Sequence, residues 1–178
     1  MDFNSRGLLE DLTQIERKDV VSKVAAIINN LHLIPLPKEQ EPSKAAQPVS
    51  YAGAGPFSST EQLQAWFNRR LEITQQLHRA PPDATPFVFN KLTLTHYDIA
   101  PRNLILDSEG KVWLIDWGDA GIYPEGLEFA ALNTRRDESS ELTEMLSEMI
   151  PRCEELSHQM LLIAFALTTG QWIDSRLF

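Results

Sequence analysis

The chain has 178 residues, 43% hydrophobic and 23% charged, which is ordinary for one soluble globular domain with its own core. Its formal net charge of −9 argues against a nucleic-acid-binding protein, because a phosphate backbone must be met by clustered Lys and Arg. One cysteine and no signal-peptide or membrane-spanning pattern predict a single cytoplasmic domain over residues 1–178, with no intrachain disulfide and no membrane partner.

The first predicted element is a helix over about residues 14–32. Its apolar residues recur at helical spacing, and the pattern ends at Pro35 and Pro37, which cannot continue a helix. The stretch that follows is rich in Pro, Gly, Ala and Ser, and it predicts a long surface loop over residues 36–59.

A second helix is predicted over about residues 60–78. Ser59 and Gln62 have the spacing of a capping box, and one apolar stripe contains Leu63, Trp66, Phe67 and Leu71. The segment RAPPDATP then predicts another loop.

From Phe87 the pattern changes to short apolar runs that are typical of strands: FVF, LTLT, NLIL and VWLID. Between the last two runs, LDSEGKV has the residues of a tight turn, so residues 103–107 and 111–115 are expected to pair as a hairpin.

The last third of the sequence predicts two more helices. One stripe contains Leu142, Met145, Leu146 and Met149 and should end by Pro151, and the other contains Leu156, Met160, Ile163, Ala164 and Leu167. The expected fold class is therefore α+β, mostly α, with one small β-hairpin.

Four polar residues surround the predicted hairpin: His96, Asp98, Asn103 and Asp116. Phosphoryl transfer needs a carboxylate that orients or deprotonates the attacking hydroxyl, and it needs an amide oxygen and a second carboxylate that hold Mg²⁺. In the pattern H-x-D-x-x-x-x-N, Asp98 has the position of the base, and Asn103 and Asp116 have the positions of the metal ligands. Each residue alone is also common as a helix cap, a turn former or a structural histidine.

The whole stretch HYDIAPRNLILDSEGKVWLIDWGDAGIYP resembles the catalytic core of the aminoglycoside phosphotransferase-like (choline-kinase-like) family, in the form found in filamentous fungi. The upstream stretches LHLIP and YAGAGPFSSTEQLQAWF are also similar to that family. The resemblance implies the large C-terminal lobe of a protein-kinase-like fold, with ATP or GTP and Mg²⁺ as cofactors and a small molecule carrying a hydroxyl group as substrate.

Residue by residue, the resemblance implies that Asp98 is the catalytic base and that Asn103 and Asp116 bind Mg²⁺. It also implies that His96 and Arg102 support the catalytic loop, and that Glu128 supports the fold. Tyr97 stands where the family more commonly has glycine.

Kinases of this type also have a small lobe with a lysine on a strand, and the 178 residues contain no such strand. The sequence therefore predicts that the small N-terminal lobe is absent and that the chain alone is inactive or weakly active. The alternatives are a non-catalytic, pseudokinase-like binding or scaffold module and a truncated gene product. The face that would meet a small lobe is expected to be apolar and to favour self-association or a partner.

Overall fold

The computed structural model describes residues 12–36, 57–134 and 140–168. Five helices are described, at Gln14–Leu33 (α1), Thr60–Gln76 (α2), Leu127–Thr134 (α3), Ser140–Ser147 (α4) and Glu154–Leu167 (α5). Four short strands are described, at Leu92–Thr95 (β1), Leu104–Leu106 (β2), Val112–Leu114 (β3) and Gly121–Pro124 (β4). The described chain is mostly helical, as predicted, and most of the predicted loop 36–59 lies outside the described residues.

The strands form two separate antiparallel pairs. In the predicted hairpin, Leu104 lies opposite Leu114 and Leu106 lies opposite Val112. The second pair joins β1 to β4, with Thr95 opposite Gly121, and the partner strand in this pair was not predicted. The turn of the hairpin depends on Asp107, whose Oδ1 accepts hydrogen bonds from the backbone N–H groups of Glu109 (3.0 Å) and Lys111 (2.9 Å).

Four of the five described α-helices agree with the sequence pattern, with corrections at their ends, whereas α3 was not predicted. The side chain of Ser59 caps α2 by accepting a hydrogen bond from the Gln62 N–H (3.2 Å). The return bond of the predicted capping box goes instead from the Ser58 N–H to Gln62 Oε1 (3.0 Å). Helix α2 ends at Gln76, before His78, whose φ of 54° is left-handed. Helix α4 ends at Ser147, and Ala164 on α5 is exposed although it was expected in the buried stripe.

Two apolar clusters form the core, and α3 contributes to both. The first packs α2, α3 and α5 around Phe67, Phe87 and Tyr123. The second packs α1, α3 and α4 against the hairpin around Ile28, Leu104 and Leu146. The segment after β1, residues 96–103, connects the two strand pairs, and its residues Tyr97 and Ile99 belong to the first and the second cluster. Close packing of both clusters therefore fixes this segment. No described helix is long and apolar enough to cross a membrane.

The predicted strand FVF at 87–89 is wrong, because this segment belongs to neither strand pair. Side chains of α2 contact its backbone instead. Asn68 accepts a hydrogen bond from the Phe87 N–H (2.7 Å) and donates one to the Phe87 C=O (3.0 Å), and Gln64 accepts one from the Phe89 N–H (2.9 Å).

Candidate active site

The segment of residues 96–103, here called the polar loop, connects β1 to β2 and contains Asp98. Both carboxylate oxygens of Asp98 accept hydrogen bonds within the loop: Oδ1 from Arg102 Nη2 (2.6 Å) and Oδ2 from Asn103 Nδ2 (2.7 Å). Asn103 Nδ2 also donates to the Asp98 C=O (2.8 Å). The 3₁₀ turn Pro101–Asn103 brings these side chains together, because the proline fixes φ at its first position. The Asp98 carboxylate is therefore held in one orientation.

His96 connects the polar loop to the strand that precedes Asp116. Its buried ring accepts a hydrogen bond at Nδ1 from the Asp98 N–H (3.3 Å) and contacts the Ile115 C=O through Nε2 (3.0 Å). A backbone N–H can only donate and a carbonyl can only accept, so these two contacts together require the neutral ring with its proton on Nε2. The ring also meets the Trp117 ring edge-on, with centroids 4.8 Å apart.

Asp116 follows β3 at the point where the hairpin returns to the polar loop. The N–H of its neighbour Ile115 donates to the Asn103 C=O (2.9 Å). Asp116 has a left-handed backbone, with φ of 62° and ψ of 68°, and its exposed carboxylate makes no hydrogen bond or ion pair with any described residue. Aspartate tolerates this conformation better than most residues, and such backbone outliers occur often at functional sites.

Glu128 on α3 binds the backbone at the start of the polar loop. Its buried carboxylate accepts hydrogen bonds from the His96 N–H (2.8 Å) and from the Tyr97 N–H (3.1 Å). Tyr97 has a φ of 68°, which explains why glycine suits this position, since glycine adopts positive φ without a steric penalty. The Tyr97 ring compensates by stacking on Tyr123, with centroids 5.2 Å apart.

Tyr123 in turn ties β4 to the segment after Asp116. Its hydroxyl donates a hydrogen bond to the Asp119 C=O (3.0 Å). Burial raises the pKa of Tyr123 above its usual value, so the hydroxyl stays protonated and remains a donor.

The oxygen atoms at this site suit a hard cation such as Mg²⁺. Both hydrogen bonds of the Asn103 side chain come from Nδ2, so among the described residues no donor contacts its Oδ1. Asn103 is buried, whereas the Asp116 carboxylate is exposed and has no hydrogen-bond donor among the described residues. Mg²⁺ is commonly bound by one or two such protein oxygens together with substrate phosphates. No group of three His, Cys, Asp or Glu side chains suited to a metal occurs in the described parts of the chain.

The hairpin and the 3₁₀ turn Trp117–Asp119 that follows it expose large apolar side chains on both sides of Asp116 in the sequence. Trp113, Ile115 and Trp117 are 48%, 39% and 44% exposed. The Trp113 indole donates to Asp107 Oδ2 (2.9 Å). That bond and the N–H of Lys111 hold the pKa of Asp107 below its usual value. The hairpin therefore exposes apolar side chains, and the hydrogen bonds of Asp107 hold its turn in place.

Of the predicted site residues, His96, Asp98, Arg102 and Asn103 form one hydrogen-bonded group. Among the described residues, Asp116 is joined to this group through its two chain neighbours, the backbone of Ile115 and the ring of Trp117. Sequence reasoning assigned Glu128 to the fold in general and missed its contact with the polar loop. It also missed the contact between Trp117 and His96. A glutamate inside the apolar run GLEFAAL was the one signal for a buried, specifically bonded carboxylate.

Comparison with known proteins gives one family. Residues 6–149 match the phosphotransferase enzyme family (APH). A search of curated proteins found no match to the chain. The matched range includes the polar loop, the hairpin and Glu128.

Proposed function

Because the chain belongs to the phosphotransferase enzyme family, we propose that it transfers the γ-phosphate of ATP or GTP to a hydroxyl group of a small molecule. The observation that carries this proposal is the hydrogen-bonded group of Asp98, Arg102 and Asn103 beside the accessible carboxylate of Asp116. Family membership supports the reaction class, and the geometry supports the roles of the individual residues.

Asp98 is the proposed catalytic base. Its side chain is 13% exposed, and hydrogen bonds to Oδ1 and Oδ2 hold the carboxylate in one orientation, in which it would accept a hydrogen bond from a substrate hydroxyl. The transition state of phosphoryl transfer is largely dissociative, so the carboxylate mainly has to orient the hydroxyl and accept its proton late. Arg102 and Asn103 contribute by fixing the carboxylate, which lowers the entropic cost of alignment.

Asn103 and Asp116 are the proposed ligands of Mg²⁺, through Asn103 Oδ1 and the Asp116 carboxylate. When bound, Mg²⁺ neutralises charge on the phosphates. His96 would keep these two ligands at a fixed spacing, because it joins the loop that contains Asn103 to the backbone that precedes Asp116.

The isolated 178-residue chain should turn over slowly if at all. Kinases use a lysine to bind the phosphates of the nucleotide. The lysines near the hairpin already have other partners, since Lys23 donates a hydrogen bond to the Gly110 C=O (2.7 Å) and Lys111 lies over the Trp113 ring (3.8 Å). The second candidate function is therefore a non-catalytic binding or scaffold module. The exposure of Trp113, Ile115 and Trp117 favours it, because exposed apolar surface suits self-association or a partner protein.

The test of the metal site is calorimetric titration of the chain with ATP or GTP, with and without Mg²⁺. We expect Mg²⁺-dependent binding that is lost in Asp116→Ala. The matched control is Asp83→Ala, because Asp83 is also an exposed aspartate without a hydrogen bond to any described residue. No binding at millimolar nucleotide, or equal binding by Asp116→Ala, would exclude the proposed metal site.

Activity is tested separately, by following phosphate transfer to a panel of amines and sugars that carry hydroxyl groups. Asp98→Asn keeps the size of the side chain and removes its basicity, so transfer should fall by at least about a hundredfold while Mg²⁺–nucleotide binding remains. Binding without any transfer by the unmodified chain would favour the scaffold function.

A further inference from the structure

Residues 85–91, here called the open segment, are bound along one edge by α2, and the N–H groups of the other edge at Val88 and Asn90 have no partner among the described residues. On the occupied edge, α2 binds the backbone of Phe87 through Asn68 and that of Phe89 through Gln64. Gln64 and Asn68 are four residues apart on the helix, a rise of about 6 Å. Their partners Phe89 and Phe87 are two residues apart, about 6.6 Å in an extended chain. The two distances match, which indicates an extended segment that runs antiparallel to α2. Two side chains thus take the place of a partner strand.

At Val88 and Asn90 the opposite edge has no such partner among the described residues. Successive N–H groups of an extended chain point to opposite sides, so the N–H groups of Val88 and Asn90 point away from α2. Among the described residues none accepts a hydrogen bond from either group. Val88 is 65% exposed. An open, rigidly held strand edge with an exposed β-branched residue is a template for another strand.

The two ends of the open segment are fixed, which keeps this edge extended. Gln159 of α5 donates hydrogen bonds to the C=O groups of Thr85 (3.0 Å) and Pro86 (3.2 Å). At the other end, the Lys91 C=O accepts a hydrogen bond from the Glu125 N–H (2.9 Å). A strand that adds here would therefore lose little conformational entropy on the protein side.

A cavity of about 310 Å³ lies between the open segment and the start of α5. Val88, Phe89 and Asn90 line one side of it, and Glu155, Leu156 and Gln159 line the other. The Glu125 carboxylate at the rim is paired with Lys91 (2.6 Å). Glu155 is exposed and makes no ion pair with a described residue. The cavity therefore has a mixed polar and apolar lining, with one negative charge that has no ion-pair partner among the described residues.

We propose that the open segment binds an extended peptide of a partner protein, which adds as a β-strand along Val88–Asn90 and places a Lys or Arg side chain in the cavity against Glu155. The backbone hydrogen bonds supply affinity, and the cavity supplies selectivity for a basic residue. The site lies at the Leu92 end of β1, whereas the polar loop follows Thr95 at its other end, so it is separate from the candidate active site.

The probe is a blocked hexapeptide, Thr-Val-Lys-Val-Thr-Val, titrated into the isotope-labelled chain and followed by NMR. Expected shifts are confined to residues 85–91 and the start of α5. Two N-methylated forms of the peptide are compared, each of which blocks the N–H groups along one edge of the peptide. Because an added strand pairs through one edge only, the two forms should differ at least tenfold in affinity. Equal affinities of the two forms, or no shifts at 1 mM peptide, would overturn the proposal.

Protein variants test the same edge independently. Val88→Pro removes an N–H that no described residue uses as a donor, so it should weaken peptide binding at least tenfold, while Val88→Thr keeps the N–H and should bind normally. Glu155→Gln should weaken binding of the Lys peptide severalfold but leave unchanged a peptide with norleucine in place of Lys. If Val88→Pro fails to fold, the N-methylated peptides alone decide, and unchanged binding by a folded Val88→Pro counts against the proposal.

Discussion

The Glu128 carboxylate accepts a 2.8 Å hydrogen bond from the backbone N–H of His96, 32 residues away in the sequence. The same carboxylate accepts a bond from the N–H of Tyr97 (3.1 Å). Helix α3 therefore fixes the two residues that immediately precede Asp98. A buried carboxylate in this place acts on the active site through the backbone of the polar loop.

Glu128→Gln tests this relationship. The amide keeps one acceptor oxygen but turns an NH₂ group towards a backbone donor, so we expect the free energy of unfolding to fall by about 2–4 kcal/mol. Urea denaturation measures the change. The control is Glu148→Gln, because Glu148 is an exposed residue directly after α4. This substitution should alter the free energy of unfolding by less than about 0.5 kcal/mol. Equal effects of the two substitutions would show that the bonds of Glu128 are not important for stability.

Tyr97 tests the left-handed backbone that precedes Asp98. Tyr97→Ala loses the stacked ring and keeps the strained φ, whereas Tyr97→Gly loses the ring and relieves the strain. The Gly variant should therefore be more stable than the Ala variant by about 1 kcal/mol, although both are less stable than the unmodified chain because the ring is buried.

The control for Tyr97 is Ile99, a buried residue of the same loop that is not among those with positive φ. There the order should reverse, with Gly less stable than Ala by about 0.5–1 kcal/mol. Thermal or urea unfolding of the four variants measures both differences. The same order at both positions would contradict the assigned conformation of Tyr97.

The sequence predicted the hairpin and the polar loop well because both are local. The Asp107 turn and the spacing from Asp98 to Asn103 depend on neighbouring residues, so the pattern contains the required information. The run FVF was a wrong prediction because apolar runs indicate an extended chain but do not identify its partner, and here Asn68 and Gln64 of α2 replace a strand. The strand Gly121–Pro124 and the bonds of Glu128 depend on contacts distant in sequence, which one sequence does not reveal.

His96 is expected to carry its single proton on Nε2. Long-range ¹⁵N–¹H NMR spectra at neutral pH distinguish the two tautomers, and a proton on Nδ1 would contradict the contacts with Asp98 and Ile115.

His96→Phe keeps the edge contact with Trp117 but leaves the Asp98 N–H and the Ile115 C=O without the ring as a hydrogen-bond partner. Stability should fall by about 2–4 kcal/mol, because each lost buried partner costs about 1–3 kcal/mol. Mg²⁺–nucleotide affinity should fall as well, since the spacing of Asn103 and Asp116 is no longer fixed.

His32 at the end of α1 predicts a pH dependence of stability. Burial, the largest cause, lowers the pKa of His32, with Lys91 acting in the same direction and Glu125 opposing both. Among the described residues its buried Nε2 has no hydrogen-bond partner, so no hydrogen bond to that atom offsets the cost of burying the protonated ring. The unfolded chain then binds a proton more readily than the folded chain as pH falls below about 6.5. His32 should therefore contribute to the loss of stability as the pH falls from 7.5 to 5.5.

Urea denaturation at several pH values in this window tests the contribution of His32. His32→Gln cannot be protonated, so this variant should show a smaller loss between pH 7.5 and 5.5 than the unmodified chain. The control is His158→Gln, because His158 is exposed on α5 and its replacement should leave the pH dependence unchanged. A loss in His32→Gln as large as that of the unmodified chain would mean that other groups cause it. A smaller loss in His158→Gln would assign the effect to the wrong histidine and contradict the burial argument.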